Sequence, residues 1–175
     1  MNCHVTPWVK SRRKSCEIFT VRSIRNKKSD AASLEAVLHR EIPLTKVLGL
    51  CVASLASRRI RLEAPVSNVN ANIHGTAFSG SIYSISALAA WGLTYHLLQA
   101  EGVAAELVVA EGSIKFWRPV KDKIIAETCF SCEEFDVFME ALEKDGKAVL
   151  LTDVQVSDNN ANRASNKIKL VAMKL

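Results

Sequence analysis

The chain has 175 residues, 49% of them hydrophobic and 23% charged, which fits one globular domain with a sizeable core and excludes a disordered polypeptide. Its net charge of +5 comes from residues 1–30, where eight Lys or Arg accompany two acidic residues, while the rest of the chain holds 15 Lys or Arg and 16 Asp or Glu. The predicted domain therefore has no basic excess, and we expect no nucleic-acid partner.

Residues 1–30 are rich in Lys and Arg but lack a continuous apolar stretch, so they do not resemble a secretory signal. We predict a disordered basic leader, and the alternative is an organelle transit peptide. Five cysteines are an odd number in such a chain, which favours a reducing compartment over a disulfide framework. We expect a cytoplasmic protein whose domain spans residues 31–175.

The first predicted elements are one short helix and a strand-like region. Residues 31–43 have the amphipathic pattern of a helix, with a proline at its end. Residues 48–64 are strand-like, and within 58–65 apolar side chains alternate with charged ones. That period of two is typical of a half-buried strand.

An uncharged stretch follows, since no Asp, Glu, Lys or Arg occurs in residues 64–100. It contains a polar loop, residues 67–76, and a long segment rich in Ala and Leu that predicts a helix over about 79–101, with Gly102 as its stop. The segment is long enough to cross a membrane. However, many Ser and Thr residues dilute its hydrophobicity, and no basic clusters flank it. We predict a buried central helix and no membrane partner.

The second half of the chain predicts four strands and one helix. The strand patterns lie in residues 106–120, 123–131, 147–158 and 164–175, and the helix lies in 133–146. Gly112 predicts a β-bulge, and Ser131 and Glu134 have the spacing of a capping box. Because a helix that is apolar nearly all round requires a sheet around it, these five strands predict an α+β fold.

The residues at the start of the long helix carry a family resemblance. Residues 70–81, NANIHGTAFSGS, and the later SIKFWRPV at 113–120 resemble the hotdog-fold superfamily of acyl-thioester enzymes. More narrowly, they resemble the thioesterase-like domain found C-terminal to some bacterial acetyltransferases, although Ser79 stands where that family tends to carry glycine. The resemblance covers residues 34–175. It implies an antiparallel sheet wrapped around the central helix and a homodimer or higher homo-oligomer with active sites at the subunit interface.

The resemblance also implies a thioesterase that acts on an acyl thioester of CoA or of an acyl carrier protein. Because a helix N-terminus presents unpaired N–H groups and a partial positive charge, we predict that the backbone amides of Gly75, Thr76 and Phe78 bind the thioester carbonyl oxygen. Asn70 and Asn72 are predicted to add side-chain donors or to hold a water. The alternative is that both asparagines only form Asx turns.

Hydrolysis also requires a base or a nucleophile, and the first turns of the predicted helix carry only hydroxyl groups, including the substrate-contacting candidate Tyr83. The candidate carboxylate is Glu111, on the following strand. Ser113 beside it is predicted to orient or protonate the product. Other carboxylates that could serve are Glu63, Asp122 and Glu127, and the carboxylate could also act across a dimer interface.

Two further functions fit the same residues. Decarboxylation of a malonyl thioester, which supplies acetyl primers for fatty-acid synthesis in some proteins that resemble this family, needs a stabilised enolate oxygen but no base for the bond-breaking step. A non-catalytic acyl-thioester binding module is the other. His74 is predicted to contact substrate or the helix entry. We predict no metal and no other cofactor, because Cys129 and Cys132 form a lone C-x-x-C without a second ligand pair.

Overall fold

The computed structural model describes residues 27–159 and 161–175, so most of the predicted leader lies outside the described residues. The helices are α1 (Lys27–Glu41), α2 (Leu44–Val47), α3 (Ser79–Ala100) and α4 (Cys132–Asp145). The strands are β1 (Cys51–Ala56), β2 (Arg59–Pro65), β3 (Ala105–Phe116), β4 (Lys123–Cys129), β5 (Lys147–Asp158) and β6 (Ala161–Lys174).

The six strands form one antiparallel sheet in the order β1-β2-β4-β5-β6-β3. Helix α3 lies against one face of this sheet and contacts β2, β3, β4, β5 and β6. The α+β hotdog arrangement with a long central helix is thereby confirmed. The number of strands needs a correction, because the strand-like region 48–64 is a hairpin of two strands rather than one strand.

Alternation along β2 defines the two faces of the sheet. Ile60, Leu62 and Ala64 are fully buried against α3, and we call this side the inner face. Arg61 and Glu63 point to the opposite side, the outer face, where they form an ion pair with Arg61 Nε 2.7 Å from Glu63 Oε1. The sequence period of two therefore predicted correctly which side chains face the core.

The lack of charge in α3 follows from its burial. Ile85, Ala89 and Leu93 are fully buried, and a Cβ at Gly92 would lie 3.5 Å from side-chain atoms of Ile60. A charged group in this environment would lose its hydration without a partner to replace it. Among the described helices none is long and apolar enough to cross a membrane.

Strand β3 forms one edge of the sheet and pairs with β6. The register between these strands shifts between Val109 and Glu111, which places the bulge at Ala110 rather than at the predicted Gly112. Gly112 meets a different requirement. A Cβ there would collide with the hydroxyl of Tyr83, so glycine allows the tyrosine ring to pack directly on the strand.

Candidate active site

The loop that leads into α3, residues 66–78, is called the site loop, and Asn70 holds its first half. The Asn70 side chain is buried, accepts a hydrogen bond from the amide of Ser67 at 2.8 Å and donates one to the carbonyl of Pro65 at 2.8 Å. Both contacts reach back to earlier residues, so Asn70 braces the loop without forming an Asx turn, which would bond the amide two residues further on. They leave one N–H of the Asn70 amide for any further role.

Asn72 closes the tip of the site loop. Its Oδ1 accepts hydrogen bonds from the amides of His74 at 2.9 Å and Thr76 at 3.2 Å, and its Nδ2 donates to Thr76 Oγ1 at 3.0 Å. Gly75 completes the turn with φ of +69°, a left-handed conformation that glycine adopts without steric cost. Asn72 therefore fixes the shape of the loop immediately before the helix.

The three backbone donors predicted from the sequence are already paired within this loop. The amide of Gly75 donates to the carbonyl of Asn72 at 3.0 Å, that of Thr76 donates to Asn72 Oδ1, and that of Phe78 donates to the carbonyl of Asn70 at 2.7 Å. The prediction that these amides bind a thioester oxygen is therefore wrong for this arrangement. The loop uses them to fold.

The donors that remain free are the amides of Ser79 and Gly80, the first two residues of α3, which have no hydrogen-bond acceptor among the described residues. Phe78 is the N-cap residue and has no side-chain oxygen that could accept from them. A Cβ at Gly80 would collide with the Phe78 ring, so glycine lets this ring lie against the first turn. The sequence could have indicated these free donors, because the N-cap position holds Phe78 instead of Ser, Thr, Asp or Asn.

A second loop, residues 117–122, supports the site loop, and we call it the strand-end loop. The amide of Ala77 donates to the carbonyl of Val120 at 2.8 Å and thereby joins the two loops. The strand-end loop is held by Asp158, whose carboxylate is 3% exposed and accepts from the amide of Lys121 at 2.9 Å. Sequence reasoning missed Asp158, because nothing local relates residues 37 positions apart.

Tyr83 lies one turn further along α3 than the free amides. Its ring is half-buried between α3 and β3 and packs on Gly112. Tyr83, which the sequence predicted to contact substrate, therefore lies on the inner face of the sheet. It is on the same helix as the free amides of Ser79 and Gly80.

Glu111 and Ser113 do not share this space. Since Gly112 faces Tyr83 and neighbouring residues of a strand point to opposite faces, Glu111 and Ser113 point to the outer face. Both are exposed. Within one subunit this register therefore keeps Glu111 and Ser113 away from the helix N-terminus, and a role for them across a subunit interface stays a prediction.

Of the other candidate carboxylates, two are poorly suited to act as the base. Glu63 and Glu127 face outward, like Glu111. A hydrogen bond of 2.7 Å from Lys123 lowers the pKa of the Glu63 carboxyl, which makes it a weaker base. Asp122, on the strand-end loop, is the candidate that lies beside the site loop, where its carbonyl accepts from an amide of that loop at 2.9 Å.

The tip of the site loop is open to solvent. Ile73 is 96% exposed, and His74 beside it is exposed as well. Within the described residues there is no group of three or more His, Cys, Asp or Glu side chains that could hold a metal ion. The described cysteines are exposed, namely Cys51, Cys129 and Cys132.

Comparison with known proteins gives one family and several structures. The family described as "Putative thioesterase (yiiD_Cterm)" matches residues 31–173. The structure of a protein of unknown function from Chlorobaculum tepidum TLS has 26% sequence identity to this chain and a TM-score of 0.78. The match covers 83% of this chain and 94% of that protein. The structure of a "putative thioesterase" from Shewanella oneidensis has 23% sequence identity and a TM-score of 0.74. The match covers 83% of this chain and 99% of that protein. The structure of a "probable thioesterase" from Pseudomonas aeruginosa has 19% sequence identity and a TM-score of 0.70. The match covers 82% of this chain and 95% of that protein.

Proposed function

The chain belongs to the "putative thioesterase (yiiD_Cterm)" family, and from this premise we propose that residues 31–175 form an enzyme that hydrolyses acyl thioesters of CoA or of an acyl carrier protein. The observation that carries the proposal is the pair of free amides of Ser79 and Gly80 at the positive end of a 22-residue buried helix. They are the donors that would bind the thioester carbonyl oxygen. A cytoplasmic location stays a prediction from composition.

Hydrolysis places negative charge on that oxygen. A water oxygen bonds to the carbonyl carbon, the oxyanion collapses, the carbon–sulfur bond breaks, and the thiol leaves with a proton. Fixed donors at the oxyanion lower this barrier because they need no reorganisation as the charge develops. Asp122 is the carboxylate that we propose to accept the proton of the water.

Malonyl-thioester decarboxylation is the second candidate, and one observation favours it. The first turn of α3 contains no acidic residue. In this reaction the bond between the carboxylate and the α-carbon breaks, CO2 leaves, and the electron pair moves to the thioester oxygen as an enolate, which the free amides would stabilise. The α-carbon then takes a proton from solvent, which gives the acetyl thioester.

One assay separates these reactions. The purified protein is incubated with malonyl-CoA, acetyl-CoA and octanoyl-CoA, and with the same acyl groups on an acyl carrier protein, while free thiol and CO2 are followed separately. Thiol release supports hydrolysis, and CO2 release with the thioester intact supports decarboxylation. Binding without either product would reject both reactions and leave the acyl-thioester binding module.

Replacement of Asn72 tests whether the shape of the site loop matters for turnover. We expect Asn72→Ala to lower kcat at least roughly tenfold, because the amides of His74 and Thr76 lose their acceptor and the loop before the helix loosens. Asn72→Asp keeps that acceptor and serves as the matched control. Wild-type kcat in Asn72→Ala, with an unchanged melting temperature, would remove Asn72 from the mechanism.

We also propose that the active unit is a homodimer formed through β3. This strand is 12 residues long, has one unpaired edge within the described sheet, and exposes Val108 and Val109. A long apolar edge is a template for pairing with another strand, and pairing with a second copy about a two-fold axis closes both edges at once. Exposed aromatic side chains at the end of β3, Phe116 and Trp117, would contribute to the same contact.

The dimer proposal predicts a change in mass. Val108→Lys places a charge on the edge strand of the proposed interface, so we expect a shift from dimer to monomer in analytical ultracentrifugation. Val137→Lys, at an exposed valine of α4 away from this edge, is the matched control and should remain dimeric. A Val108→Lys protein with the mass of the wild-type dimer would show that β3 is not the interface.

A further inference from the structure

A buried polar contact joins the central helix to the sheet two turns after the helix begins. Asn166, on the inner face of β6, is fully buried, and its Nδ2 donates to Ser86 Oγ of α3 at 2.7 Å. The hydroxyl of Ser86, which is also fully buried, donates in turn to the carbonyl of Tyr83 at 2.7 Å. The contact spans 80 positions of the chain, so it holds one point of α3 against one point of β6.

Stability alone does not explain an asparagine at this position. Ala164 and Ile168, which precede and follow it on the same face of β6, are apolar and fully buried. Asn166 Oδ1 is buried and has no hydrogen-bond partner among the described residues. A buried polar atom without a partner keeps its desolvation cost, whereas an apolar side chain of the same shape avoids that cost. The asparagine therefore contributes direction to the packing of α3 rather than net stability.

Direction matters because most of the buried surface of α3 is hydrocarbon. Ile85, Ala89 and Leu93 are fully buried in the core. Contacts of this kind depend on the area removed from water and are not directional. A hydrogen bond weakens steeply when its distance or angle changes. The bond between Asn166 and Ser86 therefore fixes the rotation of the helix and its position along its axis.

The same part of the helix is held at a second point nearby. In the sheet the β3 partner of Asn166 is Ile114, two residues beyond Gly112, and the Tyr83 ring packs on Gly112. The strands β3 and β6 thus hold the first turns of α3 through two neighbouring contacts, the Tyr83 ring and the Ser86 hydroxyl. A change at either contact shifts the beginning of the helix relative to the sheet.

We propose that Asn166 is a positioning residue, which acts through Ser86 to hold the free amides of Ser79 and Gly80 where they meet the thioester oxygen. At the rise of an α-helix, Ser86 lies about 10 Å from Ser79, so a rigid helix carries a displacement from one to the other. The inference rests on the proposed function, because it takes these amides to be the donors. It goes further by giving a core residue outside the site loop a role in turnover.

Asn166→Leu tests this role, because leucine is similar in shape and removes the unpaired oxygen. We expect a melting temperature equal to or above that of wild type, since Ser86 keeps its bond to the carbonyl of Tyr83. We expect kcat for malonyl-CoA, acetyl-CoA or octanoyl-CoA to fall roughly tenfold, as for a small displacement of reacting groups, while KM changes less. Wild-type kcat in the folded variant would overturn the proposal.

A second variant keeps the test independent of how Asn166→Leu folds. Ser86→Ala breaks the same contact, and Thr94→Ala is its matched control, because the buried Thr94 hydroxyl donates to the carbonyl of Ala90 within α3 at 2.9 Å. We expect Ser86→Ala to lower kcat by about the factor seen in Asn166→Leu, without a further loss in the double variant. Thr94→Ala should keep wild-type kcat. Additive losses in the double variant, or an equal loss in Thr94→Ala, would contradict the proposal.

Failure of the proposed function has a different signature. If the wild type turns over none of these thioesters, that function fails, and the position of the helix is then measured by NMR from the amide chemical shifts of Ser79 and Gly80. Altered shifts of both amides in Asn166→Leu, with unaltered shifts in Thr94→Ala, would still support the hold on the helix N-terminus. Unaltered shifts in Asn166→Leu would reject it.

Discussion

Replacing Ser79 with proline is expected to lower kcat for acyl-thioester turnover by about a hundred- to a thousand-fold, the usual effect of losing one oxyanion donor. Proline has no N–H, so the variant removes one of the two free amides that we place at the thioester oxygen. It is a mild change for the helix, because proline is favoured at the first helical position. Phe78 before it already has φ of −65° and ψ of 135°, the extended conformation that a following proline requires.

Ser79→Ala is the matched control, since it removes the hydroxyl and keeps the amide. We expect Ser79→Ala to retain most of the activity and both variants to melt at similar temperatures. KM for the substrate should change less than kcat, because the lost donor acts mainly on the charge of the transition state. Equal kcat values for the proline and alanine variants would show that the Ser79 amide does not contact the reacting oxygen.

The sequence predicted the main architecture because its strongest signals are local and periodic. The central helix has the predicted start at Ser79, and Gly102 just beyond its end has φ of +69°. The capping box at the start of α4 is confirmed, with the amide of Glu134 donating to Ser131 Oγ at 3.1 Å. Such features depend on a few neighbouring residues, so one sequence is enough to find them.

The site was harder to predict because it depends on pairing and register. Whether the amide of Thr76 or that of Ser79 is free depends on which acceptor the folded loop brings near, and residue types alone do not show this. The face of Glu111 depends on the position of the bulge, and a shift of one residue reverses it. The family of the asparagine motif was thus recognised correctly, whereas the backbone amides that it was predicted to offer are paired within the loop.

The strand-end loop is a distant contact that we expect to position the N-terminus of α3. Ala77, one residue before the N-cap, is anchored to Val120 through a hydrogen bond of 2.8 Å. Val120 is fully buried, and Lys121 beside it is held by Asp158 at the end of β5. We therefore expect the direction of the helix N-terminus to depend on a buried carboxylate on another strand, which accepts from the amides of Lys121 and Lys123.

Asp158→Ala is accordingly expected to lower the free energy of unfolding by about 1–2 kcal/mol, because the part-buried backbone amide of Lys121 loses a charged acceptor. Arg163, whose Nη2 is 3.9 Å from the Asp158 carboxylate, loses its counter-charge in the same variant. Urea denaturation followed by circular dichroism measures the loss. Asp158→Asn keeps one acceptor oxygen and should lose less, and Asp153→Ala, at an exposed carboxylate of the same strand, should lose little.

The Asp158 variants also separate support of the fold from support of the site. If the strand-end loop positions the helix N-terminus, Asp158→Ala should lower kcat under conditions where the protein is still fully folded. The kcat of Asp158→Asn should fall between those of wild type and Asp158→Ala, following the number of acceptors that remain for Lys121. Lower stability together with wild-type kcat would mean that Asp158 holds the strand end but does not transmit its position to the free amides. In that case the hydrogen bond from Ala77 to Val120 would not set the position of the helix N-terminus.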